Sequence, residues 1–371
     1  RTAANVVKKR HTRATRSTKK RPASCQAPVG CGKNANFVPK MSVAGKKRES
    51  MMRNVRPKKS LGQHFLTDQP TARAIADTVD ACPGLPLLEV GPGMGVLTQY
   101  LAAKGRVLKV VEVDRESVAY LREHFPELDG SIVEGDFLRL PLSEVFAGSA
   151  FVLTGNYPYN ISSQIFFKLL ANRELIPCCT GMVQREVALR LASPPGSRTY
   201  GVLSVFVQAW YDVHYLFTVE PGVFNPPPKV RSAVVRLDRN GRRELGCDEA
   251  LFARVVKGVF QQRRKMLRNP LRALLAQLDG PGPARGHDAF LARPDLTRRP
   301  EQLSVDEFVA LTNDVQRELG ADSPGNGALA EEKGDEKSDP PAALGRSAAL
   351  VFAQRNNPYC DLLRGKGSVF S

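Results

Sequence analysis

The sequence predicts an α/β fold with a mainly parallel sheet, followed by a small α-helical C-terminal domain. From Leu87 to Leu237, short apolar runs alternate with stretches of helical period, as crossover connections between parallel strands require. A Gly-x-Gly-x-Gly turn, Gly91-Pro92-Gly93-Met94-Gly95, follows the first run, and an acid closes each of the next two, Glu112 and Asp136. Beyond Gly241 only helical periodicity remains.

The elements follow in order. Leu87–Val90 reads as a strand, the glycine turn comes next, and Val96–Ala103 reads as a helix. Arg106–Val113 is a second strand, Arg115–His124 a helix, Ser131–Glu134 a third strand and Phe151–Thr154 a fourth. Cys178–Gln184, Val213–Glu220 and Arg231–Leu237 are further strands, the last two forming an antiparallel pair that finishes the sheet. Residues 56–240 thus form the first domain, and 241–248 a linker. Residues 249–320 form a helical domain, read as helix over Glu249–Leu278 and Ser304–Leu319 with a Pro/Gly-rich break at Gly280–Gly286. Residues 321–371, rich in Ala, Gly, Ser, Glu and Asp, are expected to be a disordered tail.

The chain has 371 residues, 42% hydrophobic and 25% charged, enough for a sizeable core. Its net charge of +17 suggests nucleic acid until it is located. The first 59 residues hold 18 basic residues and one acid, Glu49; the remainder holds 36 of each sign. Residues 1–55 show no hydrophobic period and carry Lys8-Lys9-Arg10 and Lys19-Lys20-Arg21. They read as a disordered basic tail adding sequence-blind phosphate affinity, as an extended gene model ahead of Met51-Met52, or as a transit peptide to an organelle. With no apolar run long enough for a membrane span and no signal segment, the expected compartment is the cytoplasm. The seven cysteines include no CxxC pair, so they are expected to be reduced thiols, with no metal site.

The chemistry-bearing residues cluster at strand ends. A strand, a glycine turn and a helix place backbone N–H groups beside a ligand, and a dinucleotide fingerprint would put its third glycine one residue later. Glu112 can accept both ribose hydroxyls of an adenosine, or be an ordinary exposed acid. Asp136 can accept an adenine amine, or be a turn or N-cap residue.

The fourth strand runs into Gly155-Asn156-Tyr157-Pro158-Tyr159-Asn160. An adenine amine is a poor nucleophile, because its lone pair is delocalised into the ring. The Asn156 side-chain oxygen and the Tyr157 carbonyl can each accept one amine hydrogen, Pro158 fixes the turn, and Tyr159 can stack on the base. Phe224, in a proline-stiffened loop, is the candidate second wall for an extruded base; a core phenylalanine is the alternative.

Five segments, in order, resemble the small-subunit ribosomal RNA adenine dimethyltransferases. They are Lys58–Leu66 (KKSLGQHFL), Glu89–Gly93 (EVGPG), Gly155–Ser162 (GNYPYNIS), Phe224–Val230 (FNPPPKV) and Phe260–Lys265 (FQQRRK). The resemblance spans about Arg56 to Leu319 and neither tail. It implies a Rossmann-like class I methyltransferase domain. The implied activity converts two adjacent adenines in the 3′-terminal hairpin loop of small-subunit rRNA to dimethyladenines during ribosome biogenesis. The resemblance also implies S-adenosylmethionine as methyl donor and S-adenosylhomocysteine as product, and no metal is expected. By motif position, His64 and Leu66 would line the donor's methionine end, with Gly91, Gly93, Glu112, Asp136 and Asn156 completing its contacts.

Many members carry Asn where His64 stands and Leu where Tyr157 stands. A histidine can still donate to the donor's carboxylate, and a residue that works through its backbone carbonyl tolerates a new side chain. The run Arg263-Arg264-Lys265, with Arg268 one turn on, is expected to face phosphate from a helix. The implied partner is small-subunit rRNA in an immature subunit, met by a monomer. The rival readings are a large-subunit rRNA adenine methyltransferase, a DNA adenine methyltransferase, and a non-catalytic ribosome assembly factor.

Overall fold

The computed structural model describes residues 55–279, 286–321 and 358–359. Strand β1 (Phe65–Leu66) and helix α1 (Gln69–Asp77) lead in. Asp68 caps α1 by accepting the Thr71 N–H at 2.9 Å, and Pro70 sits in the first turn, where its missing donor costs nothing. The main alternation follows: β2 (Leu87–Val90), α2 (Thr98–Ala102), β3 (Leu108–Glu112), α3 (Arg115–His124), β4 (Ile132–Glu134), α4 (Leu142–Val145), β5 (Val152–Thr154), α5 (Ser162–Ala171) and β6 (Cys178–Gln184). Next come α6 (Arg185–Ala192), α7 (Val202–Gln208), β7 (Tyr211–Val219), β8 (Phe224–Asn225) and β9 (Ser232–Arg239).

Seven strands form one sheet in the order β4-β3-β2-β5-β6-β9-β7. The first five are parallel, and β9 and β7 close the sheet antiparallel, as the alternation predicts. All residues of β2 and β5 are buried, because helices cover both faces of a parallel sheet. The edge strand β7 instead varies in exposure along its length. Strand β8 leaves this sheet and pairs with β1, setting Leu66 opposite Phe224.

The helical part comprises α8 (Glu249–Phe260), α9 (Arg268–Leu278), α10 (Asp288–Leu291) and α11 (Val305–Ala321). Asp248 starts α8 by accepting the Leu251 N–H at 2.6 Å. Ser304 and Glu307 start α11 with a reciprocal pair, Glu307 N–H to Ser304 Oγ and Ser304 N–H to Glu307 Oε2. The helical stretch expected over Glu249–Leu278 is two helices, broken by a turn at residues 261–267. Pro270 explains the break: it fits the first turn of α9, whereas within one long helix it would delete a backbone bond to residue 266. Residues 280–285 of the Pro/Gly-rich segment, and both tails apart from Pro358 and Tyr359, lie outside the described residues.

One apolar cluster runs from the sheet into these helices. Phe206 of α7 meets Phe252 of α8 with ring centroids 6.0 Å apart, and Phe260 meets Phe308 at 5.9 Å. Among the described residues, no helix is long and apolar enough to cross a membrane.

Candidate active site

Chain order reverses between β2 and β5. The chain steps outward from β2 to β3 and β4, then returns to the other side of β2. A crevice opens at the carboxyl ends of the strands where such a reversal occurs. The loops after β2 and β5 face each other there. The resulting cleft is walled by residues 61–66, Glu89, Gly91–Met94, Glu112 and Asn156–Tyr159.

Local sequence builds both loops. Gly91, Gly93 and Gly95 adopt φ of 68°, 56° and 77°, a region open to glycine and costly for other residues. Gly155 is required by contact, since a Cβ there would lie 2.5 Å from the Val90 carbonyl oxygen. That closeness brings the second loop against the end of β2.

Asn156 donates from Nδ2 to the His64 carbonyl at 3.2 Å, which points its Oδ1, an acceptor, away from that bond. The Tyr157 N–H donates to the Met182 carbonyl at 3.0 Å. Its side chain is buried, and its hydroxyl donates to the Thr180 carbonyl at 2.9 Å. Tyr157 thus anchors the loop in the core and brings its backbone to the cleft. Burial holds its hydroxyl well above the ordinary tyrosine range. Pro158 also lines the cleft, and Tyr159 stacks on His64 with centroids 5.3 Å apart while its hydroxyl bonds to Ser232 Oγ.

His64 is held from a second side, its Nδ1 lying 2.8 Å from the Pro226 carbonyl. A carbonyl only accepts, so Nδ1 carries a proton. Donation from His64 to a carboxylate would then use Nε2 and require the imidazolium form. Leu66 is buried in β1 and also lines the cleft.

Glu112, 5% exposed, ends β3 in the cleft wall. Its Oε2 accepts the Gly93 N–H at 3.0 Å, and Oε1 accepts the N–H groups of Val113 and Asp114, each at 2.9 Å. The carboxylate therefore ties the glycine loop to β3. Burial outweighs these bonds and raises its pKa.

Glu89 is the residue that motif reasoning passed over. It is 1% exposed, lines the cleft, and its Oε2 has no hydrogen-bond partner among the described residues. Burial pushes its carboxyl up to about 8. The signal was present: one acid stands inside the apolar strand Leu87-Leu88-Glu89-Val90.

Asp136 and Phe224 stand outside the residues lining the cleft. Asp136 Oδ1 accepts the Leu138 N–H at 2.9 Å, a turn-capping use. Phe224 is 4% exposed and packs with Leu66 and Val219.

The basic run lies in the turn between α8 and α9 rather than on a helix, for the reason Pro270 supplies. Arg263 folds back, donating to the carbonyls of Ser197 and Arg198. Arg264 and Lys265 are exposed beside Asn269 and Arg299, and Arg268, exposed at the start of α9, contacts the Met266 sulfur.

Comparison with known proteins finds related sequences and a related fold. A sequence profile described as ribosomal RNA adenine dimethylase matches residues 54–279. The chain is 61% identical over 269 residues to ribosomal RNA small subunit methyltransferase A of Bacteroides thetaiotaomicron, covering 72% of this chain and 97% of that protein. It is 60% identical over 262 residues to the protein of the same name from Porphyromonas gingivalis, covering 70% and 98%. A dimethyladenosine transferase from Plasmodium falciparum shares the fold, with TM-score 0.57, 23% identity, and coverage of 69% of this chain and 98% of that one. The chain belongs to the ribosomal RNA adenine dimethylase family.

Proposed function

We propose that this rRNA adenine dimethyltransferase works at the cleft between β2 and β5, taking methyl groups from S-adenosylmethionine. The acceptors are the exocyclic amines of two adjacent adenines in the 3′-terminal hairpin loop of small-subunit rRNA. The substrate is an immature subunit, met in the cytoplasm by a monomer.

The observation that carries this reading is the orientation of Asn156. With Nδ2 committed to His64, Oδ1 is the end of the amide left to accept a hydrogen from an amine. Together with the Tyr157 carbonyl it would draw the nitrogen lone pair out of conjugation and hold it for in-line attack. Positive charge developing on that nitrogen strengthens both bonds in the transition state. The ring of Tyr159, braced by His64 and Ser232, offers a face for the base.

The cleft also fits a cationic methyl donor. The unpartnered Glu89 oxygen is a buried acceptor that a nearby positive charge would satisfy, and Glu112 supplies a carboxylate at the ribose position. When bound, the donor supplies an electrophilic methyl on a sulfonium, which leaves as a neutral thioether. Leu66, Gly91 and Gly93 shape the cleft around it, with His64 as the candidate donor to its carboxylate. The assigned contact of Asp136 with the donor's adenine would have to form from its capping position, and Phe224 would have to leave its apolar packing to meet a base. Arg264, Lys265 and Arg268 are free to meet phosphate, while Arg263 positions the turn.

The test is incubation of the full chain with methyl-labelled donor and small subunits from a strain lacking the modification, followed by nucleoside analysis. Labelled dimethyladenine in small-subunit rRNA is expected. Label confined to large-subunit rRNA, or none, overturns the proposal.

A further inference from the structure

Three ligand-bearing side chains meet at the end of the sheet opposite the cleft. Cys178 opens β6, Asp238 is its registered partner on antiparallel β9, and Cys82 follows the short 3-10 helix Thr78–Ala81. One ligand atom from each, two thiol sulfurs and a carboxylate oxygen, lies within 4.8 Å of the other two. Cys178 is buried, while Cys82 and Asp238 are half-buried, so an ion could reach the group from solvent. Among the described residues, two cationic side chains also approach Asp238, both at Oδ2: His214 Nε2 stands 3.2 Å and Arg236 Nε 2.9 Å away.

We propose that Cys82, Cys178 and Asp238 form a binding site for a thiophilic divalent cation, with Zn2+ the fitting ion and water its fourth ligand. Two sulfurs and one oxygen match the softness of Zn2+ and exclude the all-oxygen preference of Mg2+ and Ca2+. Binding displaces both thiol protons to solvent, so the cation, two thiolates and one carboxylate leave a single net negative charge. Arg236 offsets that charge, and Arg106, which donates to the Cys82 carbonyl at 2.9 Å, lies on the same edge. The His214 and Arg236 contacts on Oδ2 orient the carboxylate, as outer partners of metal ligands do. The ion would clip the 3-10 helix to the sheet, far from methyl transfer.

The test uses the full chain, purified under reducing conditions, stripped with a strong chelator, and reloaded with Zn2+ or Co2+. Wild type and a Cys25→Ser/Cys31→Ser control are expected to retain one metal per chain through desalting. With Co2+, both should show the near-ultraviolet sulfur-to-cobalt charge-transfer band. Cys82→Ser and Cys178→Ser are each expected to lose the retained ion and weaken that band. Circular dichroism of the metal-free proteins checks that these variants fold. Because Cys178 is buried, Asp238→Asn serves as a further variant, expected to bind more weakly with the band retained. No retained metal in the wild type, or full retention in Cys82→Ser, overturns the proposal. So does a Cys82–Cys178 disulfide found by mass spectrometry in protein isolated with alkylated thiols.

Discussion

The Asn156 amide nitrogen donates to the backbone carbonyl of His64, 92 positions earlier, and this one bond sets which end of the amide is free. The segment before α1 thereby orients the residue that closes β5. Asn156→Asp would set a carboxylate oxygen against the His64 carbonyl and lose the donor, while Asn156→Ala would remove the acceptor. Each is expected to lower single-turnover methyl transfer by about 10²–10³-fold, the usual effect of losing one oriented transition-state partner. Quantifying dimethyladenine against time checks it, and unchanged rates in both variants would remove Asn156 from the mechanism.

Tyr159 contributes a ring and a hydroxyl, and the two are separable. Tyr159→Phe keeps the face that stacks on His64 and loses only the bond to Ser232, so activity should stay within about threefold. Tyr159→Ala removes the platform and should raise KM for the RNA by roughly 5- to 150-fold, from about 1–3 kcal/mol of base stacking. Equal losses in both variants would assign the role to the hydroxyl.

Glu89 gives stability a pH dependence of defined sign. Its carboxyl titrates at about 8 in the fold, against the ordinary 4.5 expected when unfolded. Between those values the unfolded chain has released a proton that the folded chain keeps. The contribution is therefore fully present below 4.5 and is lost as pH rises towards 8. Glu89→Gln should gain on wild type over that window by an amount on the order of a few kcal/mol. Urea midpoints at about pH 5 and about pH 8 measure it, and a pH-independent difference would mean that the carboxyl is ionised throughout.

Arg264 and Lys265 are exposed, whereas Arg263 is tied to backbone carbonyls. Replacing both exposed residues with alanine should reduce the slope of log affinity for the rRNA against log salt by about 1.5, roughly 0.7–0.9 per lost phosphate contact. Fluorescence anisotropy across a salt series reads this, and an unchanged slope would place the RNA elsewhere.

Tyr359 fills part of the main core. It is fully buried, accepts a hydrogen bond from Trp210 Nε1 at 3.0 Å, and meets Phe206 edge-on. Tyr359→Ala should cost about 3–5 kcal/mol of unfolding free energy, as large aromatic truncations do. It also strands the indole donor. Chemical denaturation measures the loss, and a change below about 1 kcal/mol would show that the rest of the core closes over the gap.

Much of the fold was legible because its signals are local. The apolar runs of β2, β3 and β5 and the glycine turn each depend on neighbours a few residues away, and α3 and β6 keep their expected bounds. The split between α8 and α9 was also encoded, in Pro270, but helical period on both sides masked it.

The sequence by itself determined the alternating α/β order, the family through five motifs, and the loops proposed to carry the chemistry. Only the tertiary structure decided what those residues touch. It set Asn156 against His64, turned the Tyr157 ring into the core, gave Asp136 a capping bond and Phe224 apolar packing, and revealed Glu89 as a buried acid in the cleft. It also gathered Cys82, Cys178 and Asp238, which no spacing rule connects. The reason is geometric: residue type and spacing report local backbone preference and burial, whereas a hydrogen bond or a ligand cluster between distant segments exists only once the strand order and register are formed.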